Sequence, residues 1–137
     1  MTGPAEGRPD IAGTITFFYY DDLDAAVRWY REVLGFEPYF NQDWLVLLRI
    51  TPGQSLGLVD AVSGSQRPVP GRNKGATLSI ETDQLEQWHD RLRAAGSLGP
   101  DDGFQPGCRG RTTEFRVCDP GGYFVEFFRW IAPPPPL

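Results

Sequence analysis

One carboxylate stands within an otherwise aromatic and aliphatic stretch close to the C-terminus of the chain. Glu126 occupies the centre of the run Phe-Val-Glu-Phe-Phe, which has the composition of a β-strand. Burying an unpaired carboxylate among such side chains costs several kcal/mol. We therefore expect Glu126 to meet water in an open cavity, to pair with an arginine such as Arg49 or Arg116, or to carry a proton. The functional alternatives are a ligand anchor or a general base, and the structural alternative is an ion pair with arginine.

Side chains that bind transition metals are scarce. The single histidine, His89, lies in a predicted helix beside Trp88, where a partly exposed helical residue is the ordinary interpretation. Cys108 and Cys118 form neither a disulfide framework nor a CxxC motif. A divalent metal would need carboxylates alone or carboxylates with cysteine, and no tight cluster of them is visible. The sequence predicts no metal and no other cofactor.

Composition excludes several kinds of partner. The net charge is −5 without a basic stripe, so we expect no nucleic acid. No apolar run approaches the ~20 residues that cross a membrane, and the N-terminus does not resemble a signal peptide. These patterns predict a cytoplasmic protein. Residues 1–12 and the tail 131–137 are rich in proline and glycine, which predicts poorly ordered ends.

The elements that position these residues occur twice, 62 residues apart. Residues 15–35 and the segment that begins at Thr77 each predict a short strand, an acidic helix cap and an amphipathic helix. Asp21 and Asp83 are the predicted caps, and each has a carboxylate three residues later. Gly35 and Gly96 mark the predicted helix ends.

Further strands complete each copy. Alternation and turn signals predict strands at 13–20, 36–40, 43–50, 55–59, 77–82, 112–118 and 123–130, with a loop at 97–111. One face of each small sheet takes its helix, so the other must curl towards another half. We expect an α+β fold in which two tandem βαβββ modules form a curved, cup-shaped mixed sheet. The single domain spans 13–130, with modules 13–60 and 75–130 and a linker at 61–74.

Strand alternation predicts which side chains line the cup. If Phe18 and Tyr20 face the helix, their neighbours face the cup. The predicted ligand-binding residues are Phe17, Tyr19, Trp44, Thr77, Ser79, Glu81, Phe124, Glu126 and Phe128. Alternation does not decide whether Trp44 or its neighbours on the same strand face the cup. Such a lining suits a flat or hydrophobic small molecule held by stacking and oriented by carboxylates. The alternative is that these aromatics only fill a core.

Two motifs resemble the vicinal oxygen chelate superfamily, which includes glyoxalase I, extradiol dioxygenases, fosfomycin resistance enzymes and bleomycin resistance proteins. They are DLDAAVRWYREVLGF at 22–36 and DPGGYFVEFFRW at 119–130, and the resemblance covers about 13–130. It implies the paired-module fold and a homodimer that shares its cups between subunits. It is a poor guide to function, because this fold hosts several unrelated activities.

The resemblance also implies where a metal would bind. Metal-binding members carry four ligands, at positions that correspond here to Ile15, Gly57, Thr77 and Glu126. Of these four residues, only Glu126 is of a type that those members use to bind the metal. The sequence therefore favours a metal-free protein that binds an aromatic or hydrophobic small molecule, as drug-sequestering members do. The alternatives are an isomerase or lyase that uses Glu126 as general base, with or without a divalent metal, and an accessory domain without a ligand.

Overall fold

The structure, a computed structural model, describes residues 7–134, which form two consecutive βαβββ modules. The elements of the first module are β1 (Thr14–Tyr19), α1 (Leu23–Glu32), β2 (Glu37–Asn41), β3 (Leu45–Thr51) and β4 (Gln54–Val59). Those of the second are β5 (Thr77–Glu81), α2 (Leu85–Ala94), β6 (Gln105–Gly107), β7 (Thr112–Cys118) and β8 (Phe124–Trp130), with a 3₁₀ turn at Cys108–Gly110. The predicted α+β fold of two tandem modules is confirmed.

Each module builds its own four-stranded mixed sheet. The strand order is β1-β4-β3-β2 in the first sheet and β5-β8-β7-β6 in the second. In each sheet the strand before the helix pairs in parallel with the last strand of the module, and the other pairs are antiparallel. The duplication in the sequence thus corresponds to a duplication of topology.

The two helices pack into one continuous core that both modules share. Leu23, Ala26 and Tyr30 form the buried stripe of α1, and Leu85 and Leu92 that of α2. Within this core the ring of Phe18 on β1 stacks on that of Tyr123, with centroids 4.0 Å apart. The modules therefore meet through the sheet faces that also contact the helices.

The N-cap of α1 differs by one residue from the prediction. Asp22, not Asp21, is the cap, and its Oδ1 accepts a hydrogen bond of 3.0 Å from the backbone N–H of Ala25. Asp21 is exposed. Adjacent carboxylates are equally good caps, so the exact start of the helix decides between them.

The predicted cap of α2 by Asp83 and Glu86 is wrong. The N-cap residue is Gln84, whose side chain makes no capping bond. Glu86 pairs instead with Arg129 on β8, with nitrogen–oxygen distances of 2.8 and 2.9 Å. The two hydrogen bonds from Arg129 lower the pKa of Glu86 to about 2. The Glu86 carboxylate thus pairs with Arg129 on β8, and it does not form the predicted cap of α2.

The predicted loop at 97–111 contains the short strand β6 and the 3₁₀ turn. β6 pairs with β7 through Gln105 and Glu114. After it, Cys108 and Arg109 adopt left-handed backbone conformations, with φ of 48° and 52°. A three-residue strand of Gln, Pro and Gly has no alternating pattern, so only its pairing partner identifies it.

Residues 7–12 and 131–134 are exposed and have neither helix nor strand, while 1–6 and 135–137 lie outside the described residues. The predicted disorder of both ends and the predicted domain limits stay predictions. None of the helices in the described part has the length and apolarity needed to cross a lipid bilayer.

Candidate functional site

Each sheet has one face that neither α1 nor α2 covers, which we call its open face. On β1, Phe18 and Tyr20 are buried in the core, and Phe17 is 42% exposed on the opposite side. Tyr19 shares this face, and its hydroxyl lies 3.4 Å from Oγ of Ser65 in the linker. The structure therefore places Phe17 and Tyr19 on the open face of the first sheet.

Trp44 does not join the other predicted ligand-binding residues. Val46 and Leu48 on β3 are buried in the core, so alternation directs Leu45, Leu47 and Arg49 to the open face. Trp44 precedes this strand, and its carbonyl oxygen accepts a hydrogen bond of 3.0 Å from the N–H of Asp60. It lines none of the cavities described below.

The other six predicted residues lie side by side on the open face of the second sheet. Thr77 is opposite Phe124, Ser79 is opposite Glu126, and Glu81 is opposite Phe128 in the parallel pairing of β5 with β8. The β5 members are exposed, and the β8 members are partly buried. β7 adds Thr112, Glu114, Arg116 and Cys118 to the same face.

A cavity of about 370 Å³, which we call the acidic cavity, opens on this face. It is lined by Ser79, Cys108, Thr112, Glu114, Glu126, Phe128 and Trp130. Its volume falls within the range of small-molecule sites. The rings of Phe128 and Trp130 meet edge to face, with centroids 5.5 Å apart, and form its apolar wall.

Neither of the expected arginines pairs with Glu126. Arg116 is opposite Glu126 in the register, yet its guanidinium lies over the ring of Phe124 at 4.3 Å. Arg49 stacks on Tyr39 of the first sheet at 4.4 Å. The ion pairs within residues 7–134 are Arg93–Asp90 and Arg129–Glu86. Glu126 thus has no arginine partner in this part of the chain, and it lines an open cavity.

A second carboxyl group, Glu114, lies on the same face as Glu126, on the adjacent strand β7, and lines the same cavity. Burial, and then repulsion by the Glu126 carboxylate, raise the pKa of Glu114. The hydroxyl of Thr112 donates a hydrogen bond of 3.2 Å to Glu114 Oε1. A carboxyl group whose pKa is raised keeps its proton to a higher pH, and in that form it can donate a hydrogen bond as well as accept one.

Sequence reasoning did not identify Glu114, Thr112 and Trp130 as site residues. All three lie on predicted strands, and alternation along β7 and β8 would have placed Glu114 and Trp130 on defined faces. Alternation along β8 alone puts Trp130 on the face of Glu126, whereas only the register of β7 against β8 shows that Thr112 and Glu114 share that face. The available signal was the period of two along β8, which could have identified Trp130.

The residues at the implied metal positions do not fit a four-ligand metal centre. Ile15 and Thr77 are exposed and opposite Ser55 and Phe124. A Cβ atom on Gly57 would lie 2.5 Å from Cδ1 of Phe17, so the ring of Phe17 fills the place of a longer side chain there. Across residues 7–134, no three His, Cys, Asp or Glu side chains group closely enough to hold a metal ion.

His89 lies on the other side of the second sheet. Its ring contacts those of Phe104 and Phe115, at centroid distances of 4.6 and 5.0 Å. Phe115 belongs to the core that the helices cover. The only imidazole of the chain is therefore separated from Glu126 by the sheet itself.

Two further cavities are relevant. One of about 400 Å³ adjoins the acidic cavity on the open face of the second sheet, and we call it the basic cavity; it is lined by Arg72, Asn73, Lys74, Gly75, Ala76, Thr77 and Phe124. A groove of about 560 Å³ lies elsewhere, between α1 and the β2–β3 turn. Its lining alternates acidic and basic side chains, including Asp24, Arg28 and Glu32, and contains no aromatic ring.

Comparison with known proteins supports the same fold. The family model of the Glyoxalase/Bleomycin resistance protein/Dioxygenase superfamily matches residues 13–127. No curated protein shows significant similarity to the chain.

Several solved structures are similar. A lactoylglutathione lyase from Agrobacterium tumefaciens is 26% identical, with a TM-score of 0.66 over 88% of this chain and 95% of its own. A glyoxalase/bleomycin resistance protein/dioxygenase from Nocardioides is 23% identical, with a TM-score of 0.74 over 97% and 92%. TioX from a Micromonospora species is 21% identical, with a TM-score of 0.69 over 87% and 98%.

Proposed function

The chain belongs to the Glyoxalase/Bleomycin resistance protein/Dioxygenase superfamily, and we propose that it acts there as a metal-free protein that binds an aromatic or hydrophobic small molecule. The observation that carries this proposal is the glycine at position 57, where a metal-binding member has a ligand. Where the resemblance implies a glutamate ligand, the chain has a glycine, and the ring of Phe17 lies across it. An aromatic surface thus occupies the space that a metal ligand would need.

The acidic cavity supplies the other half of the argument. Phe128 and Trp130 offer ring surfaces for stacking, and Glu126 and Glu114 offer hydrogen bonds that would orient a ligand. We propose that Phe124, Ser79 and Thr77 extend this contact surface along the sheet, with Glu81 at its rim. Phe17 and Tyr19 would contribute further aromatic contacts from the open face of the first sheet.

Fluorescence titration tests this function, because Trp130 lines the acidic cavity. Saturable quenching by members of a panel of aromatic compounds, lost in Trp130→Phe but kept in the exposed Trp44→Phe variant, is the expected result. Dialysis against a chelator should leave the affinity unchanged. A panel that never quenches, or an affinity that disappears with the chelator, would overturn the proposal.

An isomerase or lyase is the second candidate, and the two carboxyl groups that line the acidic cavity, Glu114 and Glu126, favour it. A carboxylate whose neighbour holds a proton suits a general base paired with a general acid. The resemblance to a lactoylglutathione lyase makes lactoylglutathione the first compound to test. Turnover that Glu126→Gln abolishes, with binding retained, would establish the enzyme; binding without turnover, for this and the panel compounds, favours the binding protein.

We propose that the open faces are closed in a homodimer. Ile15, Phe17, Tyr39 and Phe40 are 42–44% exposed on the open face of the first sheet, and such clustered apolar side chains suit a protein–protein contact. Arg49 adds a positive charge to this face, and Glu114 and Glu126 add negative charges at the acidic cavity of the other face, which also carries Arg116. A second copy that places one face against the other would pair these charges.

Sedimentation tests the homodimer. The protein should sediment with the mass of two chains, and Arg49→Glu should shift the equilibrium towards the monomer. Arg28→Glu, a charge reversal on exposed α1, is the matched control. A wild-type chain that remains monomeric at high concentration would contradict this assembly.

We also propose a cytoplasmic location, because both cysteine thiols are free. Cys108 is exposed and Cys118 is partly buried, and both are free. Free thiols persist in a reducing compartment. Fractionation of cells, followed by detection of the protein in the cytoplasmic fraction, is the expected outcome; enrichment in an oxidising compartment would contradict it.

A further inference from the structure

Two cavities of opposite charge lie next to each other on the open face of the second sheet. Thr77 and Phe124, which are opposite each other, line the basic cavity. Ser79 and Glu126, the next pair on the same face, line the acidic cavity. Two residues of a strand span ~6.6 Å, so one ligand of modest size would reach both cavities.

The basic end presents guanidinium groups without anionic partners. Arg116 lies over the ring of Phe124 at 4.3 Å and makes no ion pair within residues 7–134. Arg72 lines the basic cavity and also lacks an ion pair there. Lys74 is different, since its ammonium group donates to the carbonyl oxygen of Val69 and lies 5.2 Å from the Tyr123 ring centroid. A guanidinium held flat by an aromatic ring is well prepared to bind a carboxylate through two parallel hydrogen bonds.

The acidic end presents carboxyl groups without cationic partners. Glu126 and Glu114 line the same cavity, and neither makes an ion pair in the described part of the chain. Phe128 and Trp130 lie beside them, and aromatic ring faces attract organic cations. A protonated amine would relieve the repulsion between the two carboxyl groups and contact the ring surfaces at the same time.

We propose that the ligand of this face is a zwitterion: a flat apolar body with a carboxylate at one end, bound by Arg116 and Arg72, and a protonated amine at the other, bound by Glu126 and Glu114. This inference rests on the proposed binding function and names its ligand class. The ring of Phe124 at the basic end and those of Phe128 and Trp130 at the acidic end would contact the apolar body. A ligand with only one charge would leave one end of the face without its partner.

Four matched probes test the inference by calorimetric titration. 4-(Aminomethyl)benzoate carries both charges at opposite ends of a benzene ring. 4-Methylbenzoate keeps only the carboxylate, 4-methylbenzylamine keeps only the amine, and 4-methylbenzyl alcohol is uncharged. We expect the zwitterion to bind about tenfold more tightly than either singly charged probe.

Variants assign the two ends. Arg116→Gln should reduce the affinity for the zwitterion to that for 4-methylbenzylamine, and Glu126→Gln should reduce it to that for 4-methylbenzoate. Arg28→Gln and Glu32→Gln, exposed changes on α1, should alter neither affinity. Circular dichroism of each variant confirms that the fold is retained.

The outcomes separate this inference from the function on which it rests. If the zwitterion binds no more tightly than the singly charged probes, or if Arg116→Gln leaves its affinity unchanged, the ligand is not a zwitterion. Binding of the uncharged probe or of the aromatic panel would then still support a binding protein. If no probe and no panel compound binds, both the inference and the proposed function are wrong.

Discussion

The hydroxyl of Tyr30, on α1 of the first module, donates a hydrogen bond of 2.7 Å to Oδ2 of Asp119, in the β7–β8 turn of the second. Tyr20 donates to the same oxygen at 2.5 Å. The other oxygen, Oδ1, accepts the backbone N–H groups of Gly121 and Tyr123, each at 2.9 Å. Asp119 is 5% exposed, so one buried carboxylate with four donors connects the two modules.

Replacing Asp119 should destabilise the whole domain. Asp119→Ala leaves two buried tyrosine hydroxyls without an acceptor, and each unsatisfied group costs roughly 1–3 kcal/mol. We expect a loss of about 3 kcal/mol or more in the free energy of unfolding, measured with urea. Asp21→Ala, which removes an exposed carboxylate, is the control. A loss no greater than that of the control would show that this connection contributes little.

Alkaline pH should weaken the same connection. Burial raises the pKa of both Tyr20 and Tyr30 above the ordinary value. The folded state therefore keeps protons that the unfolded state releases above pH ~10, and the free energy of unfolding decreases as pH rises. Two tyrosines give a slope of at most ~2.7 kcal/mol per pH unit.

Tyr30→Phe isolates one of the two contributions. Urea unfolding between about pH 9 and 11 should show a smaller slope for this variant, because only one of these two phenols then resists ionisation. The exposed Tyr39→Phe change is the matched control. An equal slope in Tyr30→Phe and wild type would contradict the assignment.

The contact between Gly57 and Phe17 should be sensitive to a single methyl group. A Cβ at position 57 would lie 2.5 Å from Phe17 Cδ1 and 3.2 Å from Leu47 Cδ2. Gly57→Ala should therefore cost about 1–3 kcal/mol of stability. Gly103→Ala, where a Cβ meets nothing within 4 Å, is the control.

A double-mutant cycle identifies the cause of that cost. In a Phe17→Ala background the ring is absent, so Gly57→Ala should become nearly neutral. Thermal or urea unfolding of the four proteins gives the coupling free energy. Additive effects would mean that the ring of Phe17 does not fill this space.

The pair Glu114–Glu126 predicts a pH dependence of stability with a definite sign. Burial and the neighbouring Glu126 raise the pKa of Glu114, so the folded state binds its proton more tightly than the unfolded state. The free energy of unfolding should therefore decrease as pH rises through the interval between the unfolded and the folded pKa. Glu114→Gln should flatten this decrease and make the protein more stable at neutral pH. Glu32→Gln, an exposed change, should leave the profile as in wild type.

The local patterns of the chain predicted the elements well, because they depend on neighbours along the sequence. Alternation on β1 separated Phe18 from Phe17, and the helical period predicted an amphipathic helix in each copy. The errors occurred where distant groups compete. Glu86 pairs with Arg129 and does not cap α2 as predicted. Residues 105–107 form a strand because they pair with β7.

The candidate site likewise has features that follow from local sequence and features that depend on distant residues. The sequence by itself determined the two-module fold and the presence of Glu126 on an aromatic strand, since strand period and helix period are local properties of the chain. The tertiary structure decided what surrounds Glu126: Glu114 approaches it, and Arg116, although directly opposite, turns to the ring of Phe124. These arrangements depend on strand register and side-chain packing, which bring together residues distant in the sequence.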